Sequence, residues 1–269
     1  MLHGMDTPAA LPAVFLSHGS PMLAVEDSPT GRFLDRLGDL LPRPRAIVVA
    51  SAHFMAAVPT ITATGAPRTI HDFGGFPAPL YEIRYPAQGS PSLAGTVFEL
   101  LREAGIEARQ DDRHGIDHGV WVPLRRMYPQ ADIPVVALSV NPDGDAEEHY
   151  RVGRALAPLR ADGVLVVGSG GFSHNLRALD WRNPDAAEFP WVAAFTDALR
   201  AKLEAGDTAG ALDWRALPEA LRNHPTQEHL YPLYVALGAG GDGAHGRLLH
   251  RDVEMAGLAL DAFAFDTWT

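Results

Sequence analysis

No cysteine occurs among the 269 residues. That absence excludes disulfides, cysteine-ligated zinc, iron–sulfur clusters and a thiol nucleophile together. Any metal must then be held by His, Asp or Glu, a donor set that suits zinc or non-haem iron. Cations are scarce as well: 22 Lys and Arg stand against 33 Asp and Glu, a formal charge of −11. Nucleic acid is therefore not an expected partner, because phosphate contacts need clustered Lys and Arg. No stripe of aromatic and basic residues suits a single strand either. No apolar run approaches the roughly 20 residues that cross a bilayer, so no membrane partner is expected. The start, Met1-Leu2-His3-Gly4-Met5-Asp6, lacks the basic and apolar stretches of a secretory signal. A cytoplasmic protein is the expectation. The G-x-S-x-G nucleophile elbow, the H-E-x-x-H zinc motif and the complete P-loop pattern are all missing.

What is present is 46% hydrophobic and 20% charged residues, the balance of a folded globular chain. Apolar strand-like runs alternate with helical patterns. Ala13-Val14-Phe15-Leu16, Ala46-Ile47-Val48-Val49-Ala50 and Val164-Leu165-Val166-Val167 read as buried strands. Thr60-Ile61-Thr62-Ala63-Thr64 and the run from Ile133 to Val140 read as two more, with another at 258–265. Ser28-Pro29 and Ser90-Pro91 are helix starts, pairing a capping hydroxyl with a proline in the first turn. Further helical patterns cover 145–159 and 186–205, and one begins near Pro225–Glu228. Repeated strand–helix units predict an α/β fold, an α/β/α sandwich with a largely parallel or mixed central sheet. No linker, repeat or low-complexity run interrupts it, so residues 1–269 read as a single domain. Two irregular stretches, 65–86 and 111–119, are candidate walls or lids over a pocket.

Four histidines have distinctive settings: Ser17-His18-Gly19-Ser20-Pro21, Ser51-Ala52-His53-Phe54, Ser173-His174-Asn175-Leu176 and Glu228-His229-Leu230. Three of them follow the buried strands. Ligands in open α/β sheets bind beyond the strands' carboxyl ends, where distant histidines can converge. Imidazole is the commonest metal ligand and the usual acid/base near neutral pH, so a metal site with catalytic histidines is the leading reading. His118 is preferred over His114 because it directly precedes the apolar segment Val120-Trp121-Val122-Pro123-Leu124. His224 is a candidate outer partner, whereas His3, His149, His245 and His250 read as surface residues. Ser20, Ser51 and Ser169 invite a serine-hydrolase reading, but no elbow motif supports it. The glycines of Gly168-Ser169-Gly170-Gly171 invite a phosphate-loop reading, weakened by the missing lysine.

Taken in order, Ser17-His18-Gly19-Ser20-Pro21-Met22, Ser51-Ala52-His53, His71-Asp72-Phe73 with Gly75-Phe76-Pro77, and Asp117-His118-Gly119 with Trp121-Val122-Pro123-Leu124 form a distinctive series. Ser173-His174-Asn175-Leu176 and Glu228-His229 with Pro232-Leu233 complete it. The set resembles the class III extradiol ring-cleavage dioxygenases, in the 4,5-DOPA dioxygenase-like branch, over roughly residues 13 to 265. The resemblance implies one α/β domain, one divalent metal, and cleavage of a catechol ring beside its hydroxyl pair using O2. It implies His18 and His53 as metal ligands, with His229 completing the site. Either Glu228 or His229 would face the metal. His174 would act as an acid/base close enough to count as a ligand, and His118 would contact the substrate. Fe(II) is the expected catalytic metal, and Zn(II) is a plausible alternative occupant. Phe73, Phe76, Tyr81 and Trp121 would flank an aromatic ring or simply pack. The expected partners are a small catechol and O2, and an oligomer is compatible with the sequence. A zinc-dependent hydrolase on the same scaffold is the alternative function.

Overall fold

The structure, a computed structural model, describes residues 10–266. His3 and the rest of the amino-terminal start lie outside the described residues. Eight strands form one sheet in the order β4-β3-β5-β2-β6-β1-β10-β7. They are β1 (Ala13–Ser17), β2 (Ala46–Met55), β3 (Thr60–Thr62), β4 (Arg109–Asp111), β5 (Val135–Val140), β6 (Val164–Gly170), β7 (His245–His250) and β10 (Ala262–Asp266). A short separate hairpin pairs β8 (Val253–Glu254) with β9 (Leu258–Ala259). The central quartet β5-β2-β6-β1 is parallel, while β10 joins β1 antiparallel and β3 joins β5 antiparallel. The sheet is therefore mixed around a parallel core.

The continuous apolar runs reflect burial on both faces. Along β1, Ala13 and Phe15 enter one core while Val14 and Leu16 enter the other. Along β2, Val48 and Ala50 share the first core, and Ile47 and Val49 the second. The first face is covered by α2 (Pro91–Glu103), α4 (Ala146–Leu156), α5 (Pro190–Glu204) and α8 (Tyr231–Ala239). The second is covered by α1 (Pro29–Leu40) and α3 (His118–Met127). Two shorter helices, α6 (Thr208–Leu212) and α7 (Ala220–Asn223), lie between α5 and α8. Among the described residues no helix is long and apolar enough to cross a membrane.

Helix starts follow the sequence signals. The Ser28 hydroxyl accepts from the Gly31 N–H at 3.1 Å, and that of Ser90 accepts from the Leu93 N–H at 3.2 Å. α8 begins at Tyr231, later than the pattern suggests, so His229 sits in the turn before it. The stretch at 65–86 is irregular apart from one short turn of helix at Ala78–Glu82. Its start pairs with the other irregular stretch: Thr69 and Ile116 form an isolated parallel bridge, and the Ile70 N–H donates to the Ile116 carbonyl at 2.8 Å. That bridge brings Asp72 beside His118.

Candidate metal centre

Three parallel strands deliver the centre at their carboxyl ends. His18 follows the last residue of β1, and its N–H donates to the Gly170 carbonyl at 3.0 Å. His53 lies in β2 beyond Ser51, where the register against β5 shifts. The Ser51 hydroxyl accepts from the His53 N–H at 3.2 Å and donates to Asp117 at 2.6 Å. Asp117 in turn caps α3. His229 approaches the end of β6, where the Gly171 N–H donates to its carbonyl at 2.9 Å. A β-carbon on Gly170 would stand 2.1 Å from that carbonyl, and one on Gly168 would stand 1.9 Å from the Pro232 carbonyl. The glycine run of β6 thus admits the backbone at the start of α8, which accounts for it without a phosphate.

The imidazole nitrogens converge. The Nε2 of His53 lies 3.1 Å from that of His18 and 3.2 Å from that of His229. The opposite nitrogen of each ring has its own partner. His229 Nδ1 lies 2.9 Å from Glu228 Oε1, and His53 Nδ1 lies 3.2 Å from Asp72 Oδ2. His18 Nδ1 lies 3.1 Å from the Ser169 hydroxyl. That hydroxyl donates to the Gly119 carbonyl, so it can only accept from His18. The carbonyl is free for this bond because Pro123, four residues on in α3, has no N–H to offer it. The hydrogen-bond partners therefore assign the proton to Nδ1 in all three rings, leaving three Nε2 lone pairs facing one buried space. With no N–H between them they repel, and a cation removes the repulsion. The 3.1 and 3.2 Å separations fit nitrogens sharing one ion at the usual distance of about 2.0–2.1 Å. Outer partners on Nδ1 are also the usual arrangement for metal-binding histidines. Glu228 Oε1 also accepts from the Thr226 hydroxyl at 3.0 Å.

Burial, and then the neighbouring imidazoles, push the pKa values of His18 and His229 well below the ordinary histidine range. Both rings are consequently neutral and able to ligate. Burial alone would raise the Asp72 carboxyl, but hydrogen bonds from His118 and His53 outweigh it and hold that group far below the usual range. Asp72 Oδ2 also lies 3.0 Å from His118 Nδ1, and Oδ1 accepts from the His118 N–H at 3.0 Å. One carboxylate thus orients two histidines whose rings are 3.9 Å apart. A nitrogen of His118 lies within 4.8 Å of those of His18 and His53. His174 stacks on His229, with centroids 3.4 Å apart and planes 7° from parallel. Ligand atoms of His174, Glu228 and His229 lie within 4.8 Å of one another. Burial, reinforced by the charge of nearby His224, pushes the pKa of His174 down to about 4.

A cavity of about 680 Å³ opens onto this cluster, lined by His18, His53, His118 and His174. Phe73 and Phe76 also line it. Trp121 is instead fully buried, with its indole N–H donating to the Ile70 carbonyl, and the Tyr81 hydroxyl accepts from the Phe76 N–H. The three serines have structural duties: Ser51 and Ser169 as above, and Ser20 accepting from the Met22 N–H. His224 is buried beside Phe172. His149 departs from its surface expectation: it is buried, stacked on Tyr231, and accepts from the Asn141 N–H at 3.0 Å. His250 is half-buried against Phe33, while His245 is exposed as expected. His114 stacks on Phe54. The roles of Asp72 and Ser169 are the main additions to the sequence reading. The His71-Asp72-Phe73 motif inside an irregular stretch was the available signal for the first, and Pro123 within an otherwise helical segment for the second.

A family model described as the catalytic LigB subunit of aromatic ring-opening dioxygenase matches residues 12–259. The 4,5-DOPA dioxygenase extradiol of Beta vulgaris is 40% identical over 257 residues, covering 93% of this chain and 95% of the relative. The Escherichia coli K12 protein of the same name is 41% identical over 256 residues, covering 93% of each chain. A solved structure of an uncharacterized protein from Escherichia coli K12 superposes with a TM-score of 0.81 at 36% identity, covering 94% of this chain and 99% of that one.

Proposed function

The chain belongs to the family of catalytic LigB subunits of aromatic ring-opening dioxygenases, and from that membership we propose that His18, His53 and His229 hold one divalent metal through their Nε2 atoms. The enzyme is an extradiol dioxygenase that opens a catechol-type ring with O2. Several relatives are named for DOPA, and a DOPA-like catechol is the substrate class proposed here. Fe(II) is the metal that suits oxygen chemistry, while a neutral three-histidine set also accommodates Zn(II). A bound ion would supply Lewis acidity, lowering the pKa of a catechol hydroxyl.

The remaining work falls to the chain. His174, kept neutral by burial, would accept a catechol proton and return it as the ring opens. His118, with Nδ1 3.0 Å from Asp72 Oδ2, would offer Nε2 toward the substrate. Phe73 and Phe76 supply an apolar wall for the ring, the usual lining of a small-molecule cavity. The strands of the sheet run from residue 13 to residue 266, which supports one catalytic domain.

The observation that carries the assignment is the convergence of three Nε2 atoms whose Nδ1 partners are all in place. Its test is metal retention after dialysis. His18→Ala, His53→Ala and His229→Ala should each lose the metal yet remain folded by circular dichroism. His174→Ala should keep most of the metal and lose oxygen uptake with a catechol. Wild-type metal content in the first three would overturn the ligand set, and unchanged uptake in the fourth would remove the acid/base role.

A further inference from the structure

Apart from the imidazoles and Asp72, the charged residues that line the cavity are Glu26, Asp27, Asp185, Asp252 and Glu254, joined by Trp181; among the described residues no Lys or Arg lines it. Two of these carboxylates are engaged: Asp27 pairs with Arg32, and Asp252 accepts from the Thr30 hydroxyl at 2.9 Å. Glu254 is half-buried, and the charges that act on it are the carboxylates of Asp252, Glu26 and Asp185. Burial, and then those like charges, push its pKa up to about 7. A half-buried carboxylate facing three others without a counter-cation leaves a favourable position for a positive group. The aromatic lining points the same way. Trp181 is 62% exposed at the cavity wall, and its indole N–H is already donated to the Leu176 carbonyl. What the ring has left to offer is its π face, which attracts cations.

We propose that this outer chamber selects catechols whose side arm carries an ammonium group, and disfavours those whose side arm carries a carboxylate. The inference rests on the ring-opening reading, since the catechol end must reach the imidazole cluster at the inner end of the same cavity. A carboxylate on the side arm meets four or five acidic side chains and no cation among the described residues of the lining. An ammonium meets Glu254, Asp185 and the Trp181 face. A catechol amine therefore binds best, a zwitterionic amino acid such as DOPA less well, a neutral catechol less well again, and a catechol acid worst.

The test is a dissociation constant measured without turnover on the Zn(II)-loaded protein, from quenching of tryptophan fluorescence. The probes are dopamine, DOPA, methylcatechol and dihydrocaffeate. Dopamine should bind at least about tenfold tighter than dihydrocaffeate, and the gap should narrow at high salt, which screens exposed charges. Glu254→Gln should reduce the dopamine-to-methylcatechol preference several-fold. Asp185→Asn, at an exposed position, gives a second reading of the same preference should Glu254→Gln fold poorly. Dihydrocaffeate binding as tightly as dopamine, or a preference unchanged in both variants, would overturn the proposal. Oxygen uptake by the Fe(II)-loaded enzyme with methylcatechol checks the parent reading separately. Uptake without charge ranking defeats the chamber alone. Charge-ranked binding without uptake on any catechol defeats ring opening alone.

Discussion

Replacing Asp72 with Asn removes one charge while nearly preserving shape, and it isolates what that carboxylate does for the centre. In the wild type its Oδ2 lies 3.2 Å from His53 Nδ1 and 3.0 Å from His118 Nδ1, and its Oδ1 accepts from the His118 N–H at 3.0 Å. A carboxamide has one acceptor oxygen, so its NH2 must confront at least one of those donors. Even with the remaining oxygen turned toward the two Nδ1 atoms, His53 loses the carboxylate charge that holds its proton on Nδ1, and its Nε2 lone pair is no longer guaranteed at the metal position. Loss of such an outer partner costs roughly 10–100-fold in metal affinity, about 1.4–2.7 kcal/mol. Competition with a chromophoric chelator for Zn(II) reads this directly, and a thermal melt of the metal-free protein reports whether the fold has changed. The wild-type contribution should persist in mild acid, because Asp72 stays ionised well below the ordinary carboxylate range and its support is lost only as pH falls past that point. A variant whose affinity lay within twofold of wild type would refute the reasoning.

Other perturbations have equally definite outcomes. Gly170→Ala places a β-carbon 2.1 Å from the His229 carbonyl. It should cost about 1–3 kcal/mol of stability and weaken metal binding, read as a lower melting temperature and a shifted chelator titration. Ser169→Ala removes both the acceptor that holds the His18 proton on Nδ1 and the donor to the buried Gly119 carbonyl, and should lower metal affinity together with a stability loss of about 1–3 kcal/mol. Metal affinity equal to wild type by chelator titration would argue that the hydroxyl only satisfies the helix carbonyl. Glu254, raised from 4.5 to about 7 in the fold, loses stability for the protein as pH rises through 7, since the unfolded chain releases its proton more readily. Glu254→Gln should therefore raise the melting temperature at pH 8 by about 2–4 °C, with the gain shrinking toward pH 5. An equal gain at both pH values would count against a titrating origin.

Much of this was legible in the residues. Each buried strand of the parallel core is a continuous β-branched and aliphatic run, because both faces of the sheet are covered, and the histidines that follow β1 and β2 stand where such strands deliver functional groups. The proline–serine starts at Ser28 and Ser90 mark helix boundaries through a capping bond that depends on only a few neighbouring residues. The parts that could not be read depend on contacts between distant segments. Asp72 lies in a stretch without periodicity, and contacts made far along the chain, the bridge between Thr69 and Ile116 among them, bring it to His118. His149 looks like a surface histidine on an acidic helix, but its ring satisfies the Asn141 N–H and packs on Tyr231. The glycines of β6 show no sign in sequence of the carbonyls they accommodate, because those carbonyls arrive some sixty residues later in the chain.

Pro123 illustrates how a weakness in one element becomes an instruction to another. Interior proline is a poor helix residue, costing roughly 3 kcal/mol, and a search for stabilising changes would select its replacement early. A residue with an N–H at that position would compete with Ser169 for the Gly119 carbonyl. Ser169 would then be free to turn its own proton toward His18. The replaced protein would melt later and bind its ion less well, so durability and activity would move in opposite directions from a single position that touches neither metal nor substrate. Screens that rank variants of this enzyme by heat resistance alone would tend to discard the arrangement that makes the centre work.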